Sequence, residues 1–234
     1  MKRISIICAL ALISLIAGAQ TVNIHMKSGE VKVFNSTEVD YVNFTPAPEA
    51  IDLGLPSGTK WANMNIGATA PEDYGYYFAW GETNPKEEMN FNWGTYTYYD
   101  PNSSDFCVNI GQDISGTQYD AATTNWGEEW RMPTGEEFQE LIDNCSTAVI
   151  TIQDVTGMMF IGPNGNSIFL PNCGVAMFTN IMGEGYSGYY WASTLQPWGT
   201  AQNLFFNTNI GDNGFGMVDG QERCAGLTIR PVSK

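Results

Sequence analysis

Glycine and aromatic residues dominate the chain from Ile51 onward, and a helical pattern occurs in only one region of it. The whole chain of 234 residues contains 25 Gly, 7 Trp, 11 Tyr and 12 Phe, while charged residues make up 15%. An average globular domain has roughly 25% charged residues. The pattern predicts an α+β architecture, with a helical insert between strands and long Gly- and Asn-rich loops. A disordered tail and a disulfide miniprotein are excluded, because the chain is long enough to bury a sizeable core.

Two neighbouring segments carry the helical signal. The first covers residues 120–126 and places apolar side chains on one face. The second begins after Pro133, where Thr134 and Glu137 form a capping box. Apolar residues then recur at helical spacing, at Phe138, Leu141, Ile142 and Cys145. We therefore expect a helix with one buried stripe.

Short alternating segments predict the strands of the main domain. Residues 157–161 and 167–170 flank residues 163–166 (PNGN), whose composition is typical of a hairpin turn. Further strands are predicted at residues 189–193, 204–207 and 227–232.

The first 19 residues have the features of a secretory signal peptide. Lys2 and Arg3 precede an apolar run at residues 4–17, and residues 17–19 (AGA) offer the small side chains that a signal peptidase reads. A membrane anchor is the alternative, but it needs about 20 apolar residues. We therefore expect cleavage after Ala19, export, and a secreted or cell-surface location.

The segment after the predicted cleavage site reads as a small β-rich unit. Apolar and polar residues alternate on both sides of a turn at residues 27–30, and a third short strand is predicted at residues 41–44. Two prolines then interrupt the pattern. The predicted organisation is a leader (1–19), an N-terminal hairpin unit (20–45), a linker (46–50) and a main domain (51–234).

The charge of the chain narrows the range of partners. The formal net charge is −15, and it becomes more negative when Lys2 and Arg3 are removed with the leader. Such a protein repels phosphate backbones and anionic lipids. We therefore expect no nucleic-acid partner, and no second hydrophobic stretch approaches the length needed for membrane insertion.

Four cysteines remain after the predicted cleavage: Cys107, Cys145, Cys173 and Cys224. In an oxidising compartment they could form two disulfides in any of three connectivities. Four buried free thiols are the alternative, because cysteine also packs as a small hydrophobe. Both possibilities stay open. No Cys-x-x-Cys pair is present, which argues against a zinc knuckle or a redox motif.

An ordered series of motifs runs through almost all of residues 51–232. In the first part it comprises 51–62 (IDLGLPSGTKWA), 65–68 (NIGA), 77–82 (YFAWGE) and 120–122 (DAA). It continues through 126–127 (WG), 130–134 (WRMPT), 137–138 (EF), 190–193 (YWAS) and 226–232 (GLTIRPV). In these motifs the chain resembles the Fibrobacter succinogenes major paralogous domain family, which is common in secreted proteins of gut Bacteroidetes.

The resemblance implies a C-type-lectin-like fold with two short helices and a mixed, mainly antiparallel sheet. That fold is distantly related to formylglycine-generating enzymes and to the variable proteins diversified by retroelements. The ends of such a domain meet, so residues 60–65 are expected to pair antiparallel with residues 227–232.

The sequence argues against catalysis. His25 is the only histidine and lies in the N-terminal hairpin unit, which excludes most His-based zinc sites and hydrolases. Adjacent glutamates occur at residues 87–88, 128–129 and 136–137, but neighbours in sequence do not face each other across a substrate. A formylglycine-generating activity would need two reactive cysteines near the C-terminus, where Cys224 stands alone.

A metal site is not expected either. Classical sugar-binding C-type lectins hold calcium with Glu-Pro-Asn or Gln-Pro-Asp, whereas this chain has Leu170-Pro171-Asn172. Acidic residues and amides near the C-terminus do not have the spacing of a calcium loop. No cofactor and no metal are therefore predicted.

The predicted binding surface is the loop-rich region after residue 196. Its aromatic, amide and acidic side chains suit a glycan or a protein ligand; they are Trp198, Asn203, Phe205, Asn207, Asn209, Asp212, Asn213 and Phe215. Alternation along the strand places Leu204 and Phe206 on the opposite face, and the resemblance implies that this face is the inner one. For any single aromatic, a place in the core is an equal alternative.

The sequence thus predicts an exported, non-catalytic ligand-binding protein. One alternative is a structural or adhesive component of a cell-surface assembly, with the N-terminal hairpin unit as its docking element. An enzyme related to the formylglycine generators is a further alternative.

Overall fold

The computed structural model describes residues 21–25, 31–35, 46–210 and 215–234. The chain divides between Thr45 and Pro46 into two compact units. The predicted signal peptide (1–19) and the predicted third strand of the N-terminal unit (41–44) lie outside the described residues.

The N-terminal unit contains the predicted hairpin. Strands β1 (Thr21–His25) and β2 (Val31–Asn35) pair antiparallel, with Thr21 opposite Asn35. The five side chains of β2 are exposed, and so is His25. The prediction of a hairpin here is confirmed.

The second unit contains two α-helices, one short 3₁₀ helix (Trp93–Thr95) and eleven strands among its described residues. The α-helices are α1 (Ala121–Trp126) and α2 (Gly135–Asn144). The first six strands are β3 (Ala50–Asp52), β4 (Lys60–Ala62), β5 (Ser146–Ile152), β6 (Val155–Ile161), β7 (Ser167–Pro171) and β8 (Val175–Met177). The remaining five are β9 (Asn180–Met182), β10 (Ser187–Gln196), β11 (Thr200–Asn207), β12 (Phe215–Glu222) and β13 (Val232–Ser233).

These strands form several small antiparallel sheets. Their orders are β13-β4-β3, β5-β6-β7, β8-β9 and β10-β11-β12. Isolated bridges add parallel contacts, such as Tyr190 with Thr228. The described structure is therefore mostly β with two helices, which confirms the predicted α+β class and its mainly antiparallel strand pairing.

The two ends of the second unit meet. Val232 pairs with Trp61 in the antiparallel ladder of β13 and β4, and the Ala62 N–H donates to the Pro231 carbonyl at 2.9 Å. This pairing was predicted from the family resemblance and is confirmed. The regular ladder is shorter than expected, because only residues 232–233 form strand β13.

Helix α2 begins where the capping box predicts. The Thr134 hydroxyl accepts the Glu137 N–H at 3.1 Å, and the Glu137 carboxylate accepts the Thr134 N–H at 2.9 Å. Phe138 and Leu141 are fully buried, and the ring of Phe138 lies 5.2 Å from that of Trp61. The helix is therefore anchored at its first turn and along one stripe.

No helix in the described part of the chain is long and apolar enough to cross a membrane.

Candidate functional site

Strand β11 presents different side chains to its two faces. Leu204 and Phe206 are fully buried, as predicted. Phe205 and Asn207 are partly exposed, and the Phe205 ring packs 4.8 Å from the ring of Tyr189. The predicted assignment of faces is therefore correct for these four residues.

The prediction that Asn203 belongs to the binding surface is wrong, because the residue is buried. Its exposed fraction is only 1%, and its Nδ2 donates to the Asp219 carbonyl at 3.2 Å. Alternation fixes the face from which a side chain points, but it does not decide whether that face is open to solvent. At this exposure Asn203 is covered and cannot contact a ligand directly.

The other predicted site residues are spread over the loop region. Asn209 is exposed, and its N–H donates to the Asn207 side chain at 2.9 Å. Asp212 and Asn213 lie outside the described residues, and Phe215 is the first residue of β12.

Trp198 is the most exposed large hydrophobic residue that the structure describes, with 81% of its surface accessible. It lies in the turn between β10 and β11, with a left-handed backbone at φ 64°. A residue with a side chain in this region of φ typically carries about 1–3 kcal/mol of strain, and such strain clusters at functional sites. Trp198 therefore has both the exposure and the backbone geometry of a ligand contact.

A second exposed aromatic in left-handed backbone is Phe106, with φ 56° and 53% exposure. The chain segment that contains Phe106 lies close to the one that contains Trp198, and the two approach each other at Gly199. A Cβ atom on Gly199 would lie 2.7 Å from the Asp105 carbonyl and 3.0 Å from the ring of Trp93. Only glycine permits this approach. We call Phe106 and Trp198 the aromatic rim.

A cavity of about 100 Å³ lies between these segments. We call it the Arg223 cavity; its lining includes Asp105, Cys107, Asn109, Gln112, Gln196 and Arg223. It is far smaller than the 300–1,000 Å³ of a typical small-molecule pocket. It therefore suits one functional group of a ligand rather than a whole ligand.

Arg223 is almost completely buried at this cavity, with 2% exposure. Its guanidinium carbon lies 4.6 Å from the ring centre of Trp80 and 5.6 Å from that of Tyr96. Its Nε donates to the Tyr96 hydroxyl at 3.0 Å, and its Nη2 donates to the Val108 carbonyl at a long 3.4 Å. Two aromatic rings and one firm hydrogen bond thus hold the guanidinium in a fixed position.

Arg223 forms no direct ion pair with a described residue; the ion pairs in that part of the chain are Lys86 with Glu82 and Arg131 with Glu137. Burial raises the pKa of Tyr96, so its hydroxyl stays protonated and cannot neutralise the guanidinium. Nη1 of Arg223 donates no hydrogen bond to any described residue. Nη1 is not one of the fully enclosed polar atoms that lack a partner, so it stays open to water or to a ligand.

Arg230, a second buried arginine, differs from Arg223 in its hydrogen bonding. Its Nε, Nη1 and Nη2 donate to the Asn65 side chain, the Ala62 carbonyl and the Phe169 carbonyl at 2.8, 3.1 and 2.9 Å. Burial lowers the pKa of Arg230 to about 10. Every nitrogen of Arg230 thus has a partner inside the core, whereas Arg223 leaves one nitrogen unbonded beside a cavity.

Two wider depressions, of about 600 and 550 Å³, lie beside Arg131. There the guanidinium already pairs with the Glu137 carboxylate at 2.7 Å. Neither depression therefore offers an unpaired buried charge, and the smaller Arg223 cavity is the better candidate site.

The four described cysteines are free thiols. Burial raises the pKa of Cys107, which lines the Arg223 cavity, even though Arg223 acts in the opposite direction. Burial also raises the pKa of Cys145 to about 11 and that of Cys224 to about 12. These thiols stay protonated at neutral pH and are poor nucleophiles.

The described residues contain no group of three or more His, Cys, Asp and Glu side chains that could hold a metal ion.

Trp198 was named from the sequence as a candidate ligand contact, whereas Phe106 and Arg223 were not. The signal available for Arg223 was weak: it is one of only 10 basic residues and directly precedes the largely apolar segment from Cys224 to Ile229. Phe106 carried no signal, because no glycine marks its left-handed backbone.

Comparison with protein-family models, with curated proteins and with solved structures finds no match to this chain. The described residues define a mostly β protein of the α+β class with a small cavity, a buried unpaired arginine and an aromatic rim.

Proposed function

We propose that this chain is an exported, non-catalytic protein that binds a glycan at the Arg223 cavity and its aromatic rim. The observation that carries this proposal is Trp198, which is 81% exposed, has a left-handed backbone and directly precedes Gly199 of the cavity lining. Such a ring supplies a large contact area with little loss of conformational freedom.

We further propose that the main domain has a C-type-lectin-like fold and belongs to the family that its motifs resemble. Three features support this assignment. The domain ends pair through β4 and β13, the two helices lie between the early and late strands, and the strands form small antiparallel sheets. Motif residues Trp80, Trp191 and Arg230 are fully buried, as expected of a framework rather than a ligand contact.

The state of the cysteines supports a non-catalytic role. An enzyme related to the formylglycine generators would need a reactive thiolate, but burial raises the pKa of Cys224 to about 12. Turnover that disappeared in a Cys224→Ser variant would contradict this part of the proposal.

The test is an array of glycans and proteins probed with the purified chain and with two matched variants. Trp198→Ala removes the proposed contact. Phe178→Ala is the control, because Phe178 is also strongly exposed, at 61%, and also has a left-handed backbone, at φ 52°. We expect Trp198→Ala to weaken array binding at least tenfold and Phe178→Ala to leave it unchanged. Equal effects of the two variants would refute binding at the aromatic rim.

A second candidate function is a structural or adhesive component of a cell-surface assembly. It is favoured by β2, where Val31, Val33 and Phe34 are exposed. Deletion of residues 20–45 distinguishes the two candidates. Array binding that survives the deletion favours a self-sufficient binding module, whereas loss of binding favours an assembly that docks through the N-terminal hairpin unit.

A further inference from the structure

We propose that the Arg223 cavity accepts a carboxylate carried by a sugar ring, so that the ligand is a glycan with one sugar acid in an otherwise neutral chain. This inference rests on the proposed glycan-binding function and adds the chemical group that the cavity selects.

The first argument is the unpaired charge. Arg223 is 2% exposed and has no carboxylate partner among the described residues. Its Nη1 makes no hydrogen bond there, and its Nη2 makes only the long contact to Val108 at 3.4 Å. A carboxylate can accept from both Nη atoms of a guanidinium at once, which is among the strongest neutralising contacts in proteins.

The second argument is the preorganisation of the guanidinium. The rings of Trp80 and Tyr96 and the hydrogen bond from Nε to the Tyr96 hydroxyl fix its position. A ligand therefore finds the donors already aligned and does not have to order a flexible side chain.

The third argument is the size of the cavity. A volume of about 100 Å³ admits a carboxylate but not a pyranose ring. The ring would remain at the mouth, close to the chain segments that carry Phe106 and Trp198. Three amide side chains line the same cavity and can bond to ring hydroxyls: Asn109, Gln112 and Gln196.

The charge of the protein favours a sugar acid over an acidic peptide. The chain has a net charge of −15, and Asp105 lines the cavity beside Arg223. Both repel ligands with many negative charges. A single carboxylate on an otherwise neutral glycan gains the contact with Arg223 and avoids most of this repulsion.

The experiment compares sugar acids with their neutral counterparts. The probes are glucuronic acid, galacturonic acid and N-acetylneuraminic acid against glucose and galactose, titrated into the purified chain and followed by ligand-detected NMR. We expect at least one acid to bind at least tenfold more tightly than the neutral sugars. Arg223→Gln is expected to abolish the difference.

Arg223→Gln also removes packing against Trp80, so it could weaken binding by disturbing the fold. A second pair of variants therefore changes only exposed residues. Gln112→Glu places a negative charge on the exposed lining of the cavity, and Gln118→Glu places the same charge on an exposed residue outside it. We expect Gln112→Glu to weaken binding of the acid about tenfold. Gln118→Glu should bind like the unchanged protein.

Three results would overturn the inference: no sugar acid binds, neutral sugars bind equally well, or Gln112→Glu has no effect. A peptide with one glutamate that binds in place of the sugars would also overturn it, by assigning the cavity to a protein ligand. The underlying function is tested separately. If Trp198→Ala weakens array binding and Gln112→Glu does not, the proposed glycan-binding function stands. Only the inference that the ligand carries a carboxylate is then refuted.

Discussion

Trp80 and Trp191 each donate an indole hydrogen bond to the chain segment that carries the other. Nε1 of Trp191 donates to the Phe78 carbonyl at 2.7 Å, and Nε1 of Trp80 donates to the Ala192 carbonyl at 2.9 Å. Both indoles are fully buried. This exchange fixes the segment around Trp80 against β10, and the ring of Trp80 in turn supports the guanidinium of Arg223.

The first prediction concerns this exchange. Trp191→Phe removes the donor to the buried Phe78 carbonyl and leaves a cavity, so the free energy of unfolding should fall by about 2–4 kcal/mol. Trp198→Phe makes the same chemical change at an exposed site and should alter it by less than about 0.5 kcal/mol. Urea denaturation followed by circular dichroism measures both. Similar losses in the two variants would mean that the indole exchange does not stabilise the fold.

The second prediction separates the cap of α2 from its core contact. Thr134→Ala removes the acceptor of the Glu137 N–H and should reduce the free energy of unfolding by about 1 kcal/mol. Leu141→Ala opens a cavity in the core and should reduce it by about 2–5 kcal/mol. Two small, equal losses in thermal melts would show that the helix is not packed as the structure describes.

Local signals explain why part of the fold could be predicted. The capping box at Thr134 and the turn composition at residues 163–166 act on neighbours in sequence, and both elements form where the pattern places them. Strands β5 and β12 are among those that were not predicted. Their place depends on pairing with β6 and β11, which the alternation of residues in a short segment does not encode.

The candidate site was harder to predict, because its parts are distant in sequence. Arg223 meets Trp80 and the loop that contains Val108 only after the chain has folded. The left-handed backbone at Phe106 is likewise set by tertiary contacts. The prediction that Asn203 contacts a ligand was wrong for a related reason. The alternation along β11 is correct, but its outer face is partly covered.

The third prediction compares neighbours on β11. Phe206 is fully buried and packs 6.0 Å from the ring of Tyr190, so Phe206→Ala should cost about 3–5 kcal/mol of stability. Phe205 is partly exposed, so Phe205→Ala should leave the protein folded with a much smaller loss. Chemical denaturation of the two alanine variants checks the order. A larger loss for Phe205→Ala would reverse the assignment of the two faces.

The fourth prediction concerns acid stability. Burial alone would raise the pKa of Glu137, but hydrogen bonds from Arg131, from the Thr134 N–H and from Thr59 hold it below its usual value of 4.5. A lowered pKa in the folded state stabilises the protein above the pKa of the unfolded chain, and this contribution disappears as the pH falls through the folded value. Glu137→Gln should therefore be less stable than the unchanged protein at neutral pH, and the difference should shrink below about pH 4.5.

Denaturation at several pH values measures this difference directly. Glu136→Gln is the control, because Glu136 is exposed on the same helical turn. Its difference from the unchanged protein should be small, because Glu136 forms no ion pair with a described residue. A Glu137→Gln difference that stayed constant into the acid range would show that the ion pair with Arg131 does not contribute through its charge.

The last prediction tests the electrostatics of the Arg223 cavity. Asp105 lines the cavity with a negative charge and forms no ion pair among the described residues. If the ligand presents a carboxylate to Arg223, Asp105→Asn should tighten binding of a sugar acid about threefold, because it removes a like charge near the ligand. The gain should decrease at high salt, which screens exposed charges, and neutral sugars should bind as before.

Asp143→Asn, on exposed Asp143 of α2, controls for the change in net charge and should have no effect. Titration of the same sugar acid into the three proteins gives the comparison. Weaker binding by Asp105→Asn would mean that Asp105 accepts hydrogen bonds from the ligand, and that the cavity selects hydroxyl groups rather than a carboxylate.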